Sequence, residues 1–253
     1  MRRVIIFDLN SFFEQFRSQM GFYIGCIKLH KEIEKFSGET CFPQILMYDR
    51  KNKAKKLYDL GLALQMNEKP ISNDLDGGKL YIISGANQGG KSTFLRSIGV
   101  AQVMMQAGMF VPAAYFEGNI FDHIFTHFSR REDVAMNSGR LDEEMKRVNN
   151  IIDQITSNSL VLFNEPFAST TEAEGSMIAE NIIMALHDYG IQVFIVTHLF
   201  LFASSMYEKE IEHVIFLSAE RQRDGLRTFK MVQQRPEETS FGLDLYDQII
   251  KRK

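Results

Sequence analysis

The stretch Gly85-Ala86-Asn87-Gln88-Gly89-Gly90-Lys91-Ser92 decides the fold of this 253-residue chain. It fits the pattern G-x-x-x-x-G-K-[ST], in which glycines let backbone N–H groups turn toward phosphate oxygens. Lys91 supplies a positive charge for the outer phosphates, and the Ser92 hydroxyl can ligate Mg²⁺. The pattern therefore predicts a phosphate-binding loop, and the alternative is a glycine-rich turn that binds nothing.

The residues on either side of this stretch support the first interpretation. Leu80-Tyr81-Ile82-Ile83-Ser84 is a short apolar strand, and a helix through about Ala107 follows the loop. The N-terminus of such a helix favours an anion. A strand before the loop and a helix after it are the structural context that this pattern requires.

Further along the chain, short apolar runs alternate with helical patterns. Strands are predicted at 160–163 and 193–196, and helices over 141–155 and 177–186. Runs that are apolar throughout are typical of strands buried on both faces. We therefore expect an α/β fold of the P-loop NTPase type, with a mostly parallel sheet flanked by helices.

The two ends of the chain carry different patterns. Toward the C-terminus, strands at 214–217 and 228–232 predict a hairpin around Arg223-Asp224-Gly225, and 243–251 predicts a final helix. Toward the N-terminus, apolar residues recur at helical spacing from Leu9 to Phe36. Asn10 or Ser11 is expected to cap that helix, and Ser37-Gly38 to end it. We expect a helical segment at 1–40 and an α/β domain at 41–253.

One basic stretch has two interpretations. Asp49 to Lys56 contains five lysines and arginines. Short charge runs are mostly solvated, which predicts the exposed start of a helix. The alternative is a patch that faces DNA or couples to a lever.

Composition excludes several classes of protein. Hydrophobic residues make up 45% and charged residues 24%, so a disordered or low-complexity chain is excluded. The net charge of −3 argues against a protein that coats nucleic acid on its own. Two cysteines without metal spacing fit a reducing compartment. The reducing compartment expected by default is the cytoplasm. No apolar run is long enough to span a bilayer, so no membrane partner is expected.

Polar residues follow two of the apolar strands. Asn164 and Glu165 come directly after 160–163, where the amide oxygen of Asn164 can accept from a metal-bound water and Glu165 can orient an attacking water. His198 follows the next strand and can reach a terminal phosphate. The alternatives are a polar turn for the first pair and a structural histidine for the second.

A third candidate lies before the helix that begins near Leu141. Ser138 and Gly139 form a Ser-Gly pair at a helix N-terminus. Such a pair is either a simple helix-capping turn or an anion site. The anion could belong to the nucleotide of the same chain or to that of a partner.

Together these residues resemble a known family. From about Phe42 to Ile250 the chain resembles the ATPase domain of the MutS mismatch-repair proteins, within the ABC-type ATPases, and most of all their MutS-related bacterial branch. The likeness is carried by six stretches: Gly85–Thr93, Gly108–Ala113, Asp122–Thr126, Ser138–Arg140, Thr197-His198 and Ser240–Leu243.

The resemblance implies an ATPase that uses ATP and Mg²⁺. Its catalytic residues would be Glu165 and His198, and its metal ligands Ser92 and Asn164. Nucleotide contacts would come from Gly85, Ala86, Asn87, Gln88, Gly89, Gly90, Lys91, Ser92 and Thr93.

The resemblance also implies two partners. A homodimer is expected, in which Ser138 and Gly139 complete the partner's nucleotide site. Double-stranded DNA would be bound by further domains of a longer protein, of which this chain looks like a C-terminal fragment. Residues 1–40 look like the tail of the family's core and lever region.

Two differences from the family pattern and one missing motif bear on the alternative functions. Asn164 stands where the family has Asp, and the residues after Arg140 do not match the family's S-T-F. A nucleotide-binding switch or scaffold with little hydrolysis is therefore the main competing function. A transporter ATPase is disfavoured because the sequence has no L-S-G-G-Q motif.

Overall fold

The computed structural model describes residues 2–46, 51–85, 88–128, 139–221 and 227–238, of which 2–8 are described by their backbone alone. In these ranges the helices are α1 (Arg2–Lys35), α2 (Leu60–Met66), α3 (Lys91–Gln106), α4 (Arg140–Ile152), α5 (Glu172–Asp188) and α6 (Phe200–Glu208). The strands are β1 (Gln44–Leu46), β2 (Lys53–Leu57), β3 (Asn73–Asp76), β4 (Leu80–Ser84), β5 (Tyr115–Asn119), β6 (His123–Phe128), β7 (Ser159–Asn164), β8 (Gln192–Val196), β9 (Val214–Arg221) and β10 (Arg227–Gln233).

The larger sheet has the strand order β10-β9-β4-β8-β7-β6. Its neighbours are parallel except for β10, which pairs antiparallel with β9. The predicted α/β class with a mostly parallel sheet is therefore confirmed, as is the hairpin of β9 and β10. Because β4 lies between β8 and β9, the loop after β4 emerges at the centre of the sheet's carboxyl edge.

Both faces of the larger sheet are buried, which explains why its strands are apolar throughout. Alternate residues of β4, β7 and β8 enter two separate clusters. One cluster packs against α3 and the smaller sheet, and the other against α4, α5 and α6. The result is a layered arrangement in which the sheet holds the loops at its carboxyl edge.

A smaller sheet, with the order β1-β5-β2-β3, was not predicted. The prediction that the basic stretch is a helix start is wrong, because Lys53–Leu57 is the strand β2. Ala54 and Leu57 face the core, while Lys55 points outward and contacts Asp74 and Asp76. Lys55 and Lys56 are both exposed because the register with β3 shifts between Ala54 and Leu57, and this irregularity returns Leu57 to the core face.

The N-terminal helix is longer than predicted. It begins at Arg2, so neither Asn10 nor Ser11 caps it, but the predicted end is confirmed: Ser37 is left-handed (φ 55°) and the Gly38 N–H donates to the Ile33 carbonyl. Its last turns pack on the core through Cys26, Leu29, Ile33 and Phe36. Its apolar side chains between Leu9 and Tyr23 are exposed.

Several predictions lie outside the described residues. These are the turn at 223–225, the final helix at 243–251, the stretch Ser240–Leu243, and Asp49-Arg50 of the basic stretch. The boundary near residue 40 stays a prediction. Within the described ranges, no helix combines the length and the apolar character that crossing a membrane requires.

Candidate functional site

The glycine-rich loop leaves β4 and enters α3. Gly85 has φ 104°, and a Cβ there would lie 3.0 Å from the backbone nitrogen of Ala219 in β9. Gly90 has φ 90°, and a Cβ there would lie 3.4 Å from the ring of Phe229. The positive φ favours glycine at both ends, and at Gly85 the close approach of the β9 backbone also disfavours a side chain. Ala86 and Asn87, between them, lie outside the described residues.

The ammonium group of Lys91 lies inside the turn of this loop. Lys91 is buried at the first position of α3, and its Nζ donates to the carbonyl oxygen of Gly85 at 2.7 Å. Burial lowers the pKa of Lys91, and the charge of Glu165 opposes that shift. A desolvated cation near the N-terminus of a 16-residue helix is suited to hold an anion.

The candidate residues after β7 and β8 lie at the same edge of the sheet. The two strands are parallel neighbours, and the N–H of Glu165 donates to the carbonyl of Val196 at 2.8 Å. Glu165 is left-handed (φ 51°), so the chain reverses immediately after β7. Thr197 is buried and its N–H donates to Ile83 of β4, whereas His198 is exposed. The sheet therefore brings Glu165 and His198 to one edge, as predicted.

A cavity of about 470 Å³ opens beside the glycine-rich loop. Glu165 lines it together with the loop, whereas neither Asn164 nor His198 is among its described lining residues. One set of lining residues, which we call the polar wall, comprises Gln88, Gly89, Gly90, Lys91, Ser92, Thr93 and Glu165. A second set, the apolar wall, comprises Leu57, Tyr58, Leu62, Met66, Pro70, Ile71 and Phe229. A ligand with an anionic part and an apolar or aromatic part would match these two sets of residues.

The apolar wall was mostly missed by the sequence analysis. Phe229 lies in an irregular part of β10, where the register with β9 shifts, and has φ 58°. The buried Asn73 bridges this irregularity: its Nδ2 donates to the Phe229 carbonyl at 3.1 Å, and its Oδ1 accepts from the Met231 N–H at 2.7 Å. Arg227 Nη1 also donates to Gln88 Oε1 at 2.7 Å, which joins β10 to the polar wall.

A second bond ties the helix α2 of the apolar wall to α3. Asp59 is the N-cap of α2 and accepts from the Leu62 N–H through Oδ1. Its other oxygen accepts from Arg96 Nε of α3 at 2.5 Å. Burial raises the pKa of the neighbouring Tyr58 to about 12, so its hydroxyl stays neutral at physiological pH. Tyr58 itself is therefore uncharged, whereas Asp59, Glu68 and Lys69 bring charged groups to the lining of the same cavity.

The candidate Ser-Gly pair is placed only in part. Gly139 is exposed and is the N-cap of α4, without a side-chain capping bond. Ser138 lies outside the described residues. Both interpretations of this pair require a position at a helix N-terminus, so the structure does not distinguish the capping turn from the anion site.

No group of three or more His, Cys, Asp or Glu residues that could hold a metal occurs among the described residues. One oxygen nevertheless fits a metal-bound water. Asn164 Oδ1 at the end of β7 is buried and accepts no hydrogen bond in the described structure. Ser92 offers a hydroxyl on the polar wall. Both ligands are neutral, so a divalent cation would be held weakly by the protein alone.

Comparison with known proteins identifies the family. A model of MutS domain V matches residues 81–250, about two thirds of the chain. This chain belongs to the MutS family. The DNA mismatch repair protein MutS of Streptococcus pneumoniae strain Hungary19A-6 is 32% identical over 167 residues, as is HexA of serotype 4 strain TIGR4. Each match covers 65% of this chain but only 20% of the relative, so the MutS-family chain spans about a fifth of these relatives.

Proposed function

We propose that this MutS-family chain is a P-loop ATPase module that binds ATP through the two walls of its cavity. The observation that carries the proposal is one cavity lined by both Lys91 and Phe229. The glycine-rich loop and Lys91 would hold the phosphates, with Ser92 and Thr93 beside them. Phe229, Pro70 and Ile71 would contact the base, since an aromatic ring and aliphatic side chains pack well on a nucleobase.

Hydrolysis needs a group that orients water against the terminal phosphate. Glu165 is suited to this role because it lines the cavity while its backbone is fixed to β8. Its carboxylate would accept a hydrogen bond from the attacking water and hold it in line. His198, exposed at the end of β8, is proposed to contact the terminal phosphate and so to report its presence.

Mg²⁺ is the metal that these residues fit. Ser92 would ligate it directly, and the buried Asn164 Oδ1 would accept from one of its waters. When bound, Mg²⁺ offsets the charge that develops on the phosphate oxygens. Because Asn164 lacks the charge of an aspartate, this chain is expected to need more Mg²⁺ than an aspartate-bearing site.

Two further assignments extend the proposal to partners. A second copy is proposed to meet the nucleotide through Ser138 and the exposed Gly139 at the start of α4. Double-stranded DNA would be bound by other parts of a longer protein, since the chain spans a fifth of its relatives. In that arrangement 1–40 would belong to a core and lever region and 41–253 to the ATPase domain. We place the protein in the cytoplasm.

The neutral Asn164 favours one alternative function. A site that binds ATP but holds Mg²⁺ weakly would act as a nucleotide switch or scaffold with little turnover. Asn164→Asp separates the two. If the chain is such a switch, restoring the carboxylate should raise Mg²⁺-dependent turnover sharply, and unchanged turnover would count against it.

The direct experiment measures Mg-ATP turnover against protein concentration, with Glu165→Gln beside the unaltered chain. We expect the specific rate to rise with concentration, because the site is completed by a second copy. In Glu165→Gln the rate should fall about 100-fold or more while ATP binding persists. Glu212→Gln, an exposed substitution of the same chemistry, is the matched control. A rate that is independent of both concentration and Glu165 contradicts the proposal.

A further inference from the structure

Glu144 is a buried carboxylate that the proposed chemistry does not use. It lies on α4, one turn after the exposed Gly139, and is 6% exposed. Both of its oxygens accept hydrogen bonds from the segment that follows Glu165. Oε1 accepts from the Phe167 N–H at 2.8 Å, and Oε2 accepts from the Ser169 hydroxyl at 3.1 Å.

The segment that Glu144 binds has an unusual backbone. Glu165 and Phe167 both have positive φ, 51° and 60°, which is costly for residues with a side chain. The Phe167 ring is fully buried, and its carbonyl oxygen packs so closely on α5 that a Cβ at Gly175 would lie 2.6 Å away. The reversal is thus held by α5 on one side and by the Glu144 carboxylate of α4 on the other.

Two basic side chains, His127 and Arg147, lie near Glu144, but no hydrogen bond from either one to its carboxylate is described. His127 of β6 is buried, with Nε2 3.7 Å from Glu144 Oε1, and neither of its ring nitrogens has a hydrogen-bond partner in the described structure. Burial lowers the pKa of His127, with Arg147 adding to the shift and Glu144 opposing it. Arg147 itself donates to the Phe128 carbonyl. The hydrogen bonds described for the carboxylate therefore come from the segment after Glu165.

We propose that Glu144 is a positioning residue that sets the aim of Glu165 from α4. This inference rests on the proposed hydrolytic role of Glu165. Because Glu144 lies one turn from Gly139, a displacement of α4 would move the carboxylate and, through Phe167, the reversal that presents Glu165. The binding of a partner at the start of α4 would then be sensed by the hydrolytic residue of the same chain.

The test uses Glu144→Gln in the 253-residue chain, with Glu212→Gln as the matched exposed control. A glutamine keeps the shape but has only one accepting oxygen. We expect kcat for Mg-ATP to fall about tenfold, as for the loss of a hydrogen bond to a charged group, with KM and the affinity for a non-hydrolysable ATP analogue within about twofold. Amide exchange at Phe167 should become faster by a similar factor.

A double substitution separates positioning from general support. If Glu144 acts through Glu165, Glu144→Gln should lower kcat little further in a Glu165→Gln background. A purely structural brace would instead lower affinity, melting temperature and kcat together and add to Glu165→Gln. Ser169→Ala, at an exposed position, removes only the bond to Glu144 Oε2 and keeps the carboxylate, and should lower kcat about two- to fivefold if Glu144→Gln fails to fold.

The outcomes distinguish this inference from the proposed function. An unaltered chain that binds nucleotide but never hydrolyses it overturns the hydrolytic proposal and the positioning role together. An active chain in which Glu144→Gln leaves kcat unchanged, or in which its effect is additive with Glu165→Gln, overturns only the positioning role. Selective loss of kcat, faster exchange at Phe167 and non-additivity support it.

Discussion

The two walls of the cavity are built in different ways. The polar wall comes from one continuous stretch after β4, together with Glu165 from the end of β7, two strands away in the sheet. The apolar wall comes from three segments, Leu57–Met66, Pro70-Ile71 and β10, of which the first two lie more than 150 residues before the third in sequence. The first is held by backbone conformation and the sheet, and the second by side-chain bonds such as those of Asn73 and Asp59.

This difference predicts that the two walls respond differently to substitution. The loop is anchored at both ends, because Ser84 ends a buried strand and Lys91 begins a long helix that packs in the core. A wall assembled from three segments depends on each bond between them. We therefore expect substitutions in the polar wall to weaken anion binding strongly. Substitutions in the apolar wall should lower the affinity for the rest of the ligand by smaller amounts.

The largest effect is expected for Lys91→Ala. Removing the buried ammonium takes away a charge-assisted partner for the phosphates, so ATP affinity should fall about 100-fold. Inorganic tripolyphosphate, which has no base, should lose affinity by a similar factor. Isothermal titration with both ligands measures this, and Lys209→Ala, an exposed lysine paired with Glu180 on α5 and remote from the cavity, is the control. An affinity within threefold of the unaltered chain would falsify the assignment of Lys91.

Next comes Phe229→Ala, which removes the aromatic ring of the apolar wall. Loss of stacking on a base should weaken ATP about tenfold. Tripolyphosphate should bind as before, because the polar wall is intact. Phe42→Ala is the control, since Phe42 is 80% exposed and does not line the cavity. Equal losses for the two ligands would mean that the walls do not divide the ligand as we infer.

Much of the polar wall could be predicted from the sequence because its causes are local. The motif, the apolar run of β4 and the helix α3 are consecutive, and β7 and β8 are apolar throughout because both faces of the sheet are buried. The α/β class followed from the same runs. Local pattern therefore carried the fold class and half of the site.

The rest depended on contacts that no local pattern encodes. Lys53–Leu57 is rich in lysine and was interpreted as a helix start, but pairing with β3 and β5 makes it a strand. Phe229 faces the cavity because of an irregularity in β10. Glu144 is acidic within a polar stretch, and only the segment after Glu165 explains its burial.

A smaller effect on ATP affinity is expected for Asn73→Ala, which should weaken the contact with the base indirectly, by loosening Phe229. The variant leaves the Met231 N–H without its acceptor and frees the irregular part of β10. We expect about 1–3 kcal/mol of destabilisation, as for a buried donor that loses its partner. ATP affinity should fall about three- to fivefold, less than in Phe229→Ala, because the ring is loosened but present. Denaturant unfolding and titration measure the two quantities.

Two comparisons make the Asn73 result decisive. Asn158→Ala also removes an amide with two bonds, to Ile120 and Asp122, but at a half-buried site that does not line the cavity. It should leave ATP affinity unchanged. In a Phe229→Ala background, Asn73→Ala should weaken ATP little further, because both substitutions act on one contact. Additive losses would show that Asn73 contributes to binding by a route other than Phe229.

The smallest effect is expected where the two walls meet. Arg227→Ala removes the 2.7 Å bond to Gln88, which is exposed, so ATP affinity should fall only about twofold. Gln88→Ala should give the same loss, and the double variant no more than either alone. Tripolyphosphate binding should be unchanged in Arg227→Ala if the bond merely orients β10. If tripolyphosphate binding weakens as well, the Arg227 guanidinium contacts the phosphates. Arg227 of β10 would then belong to the polar wall.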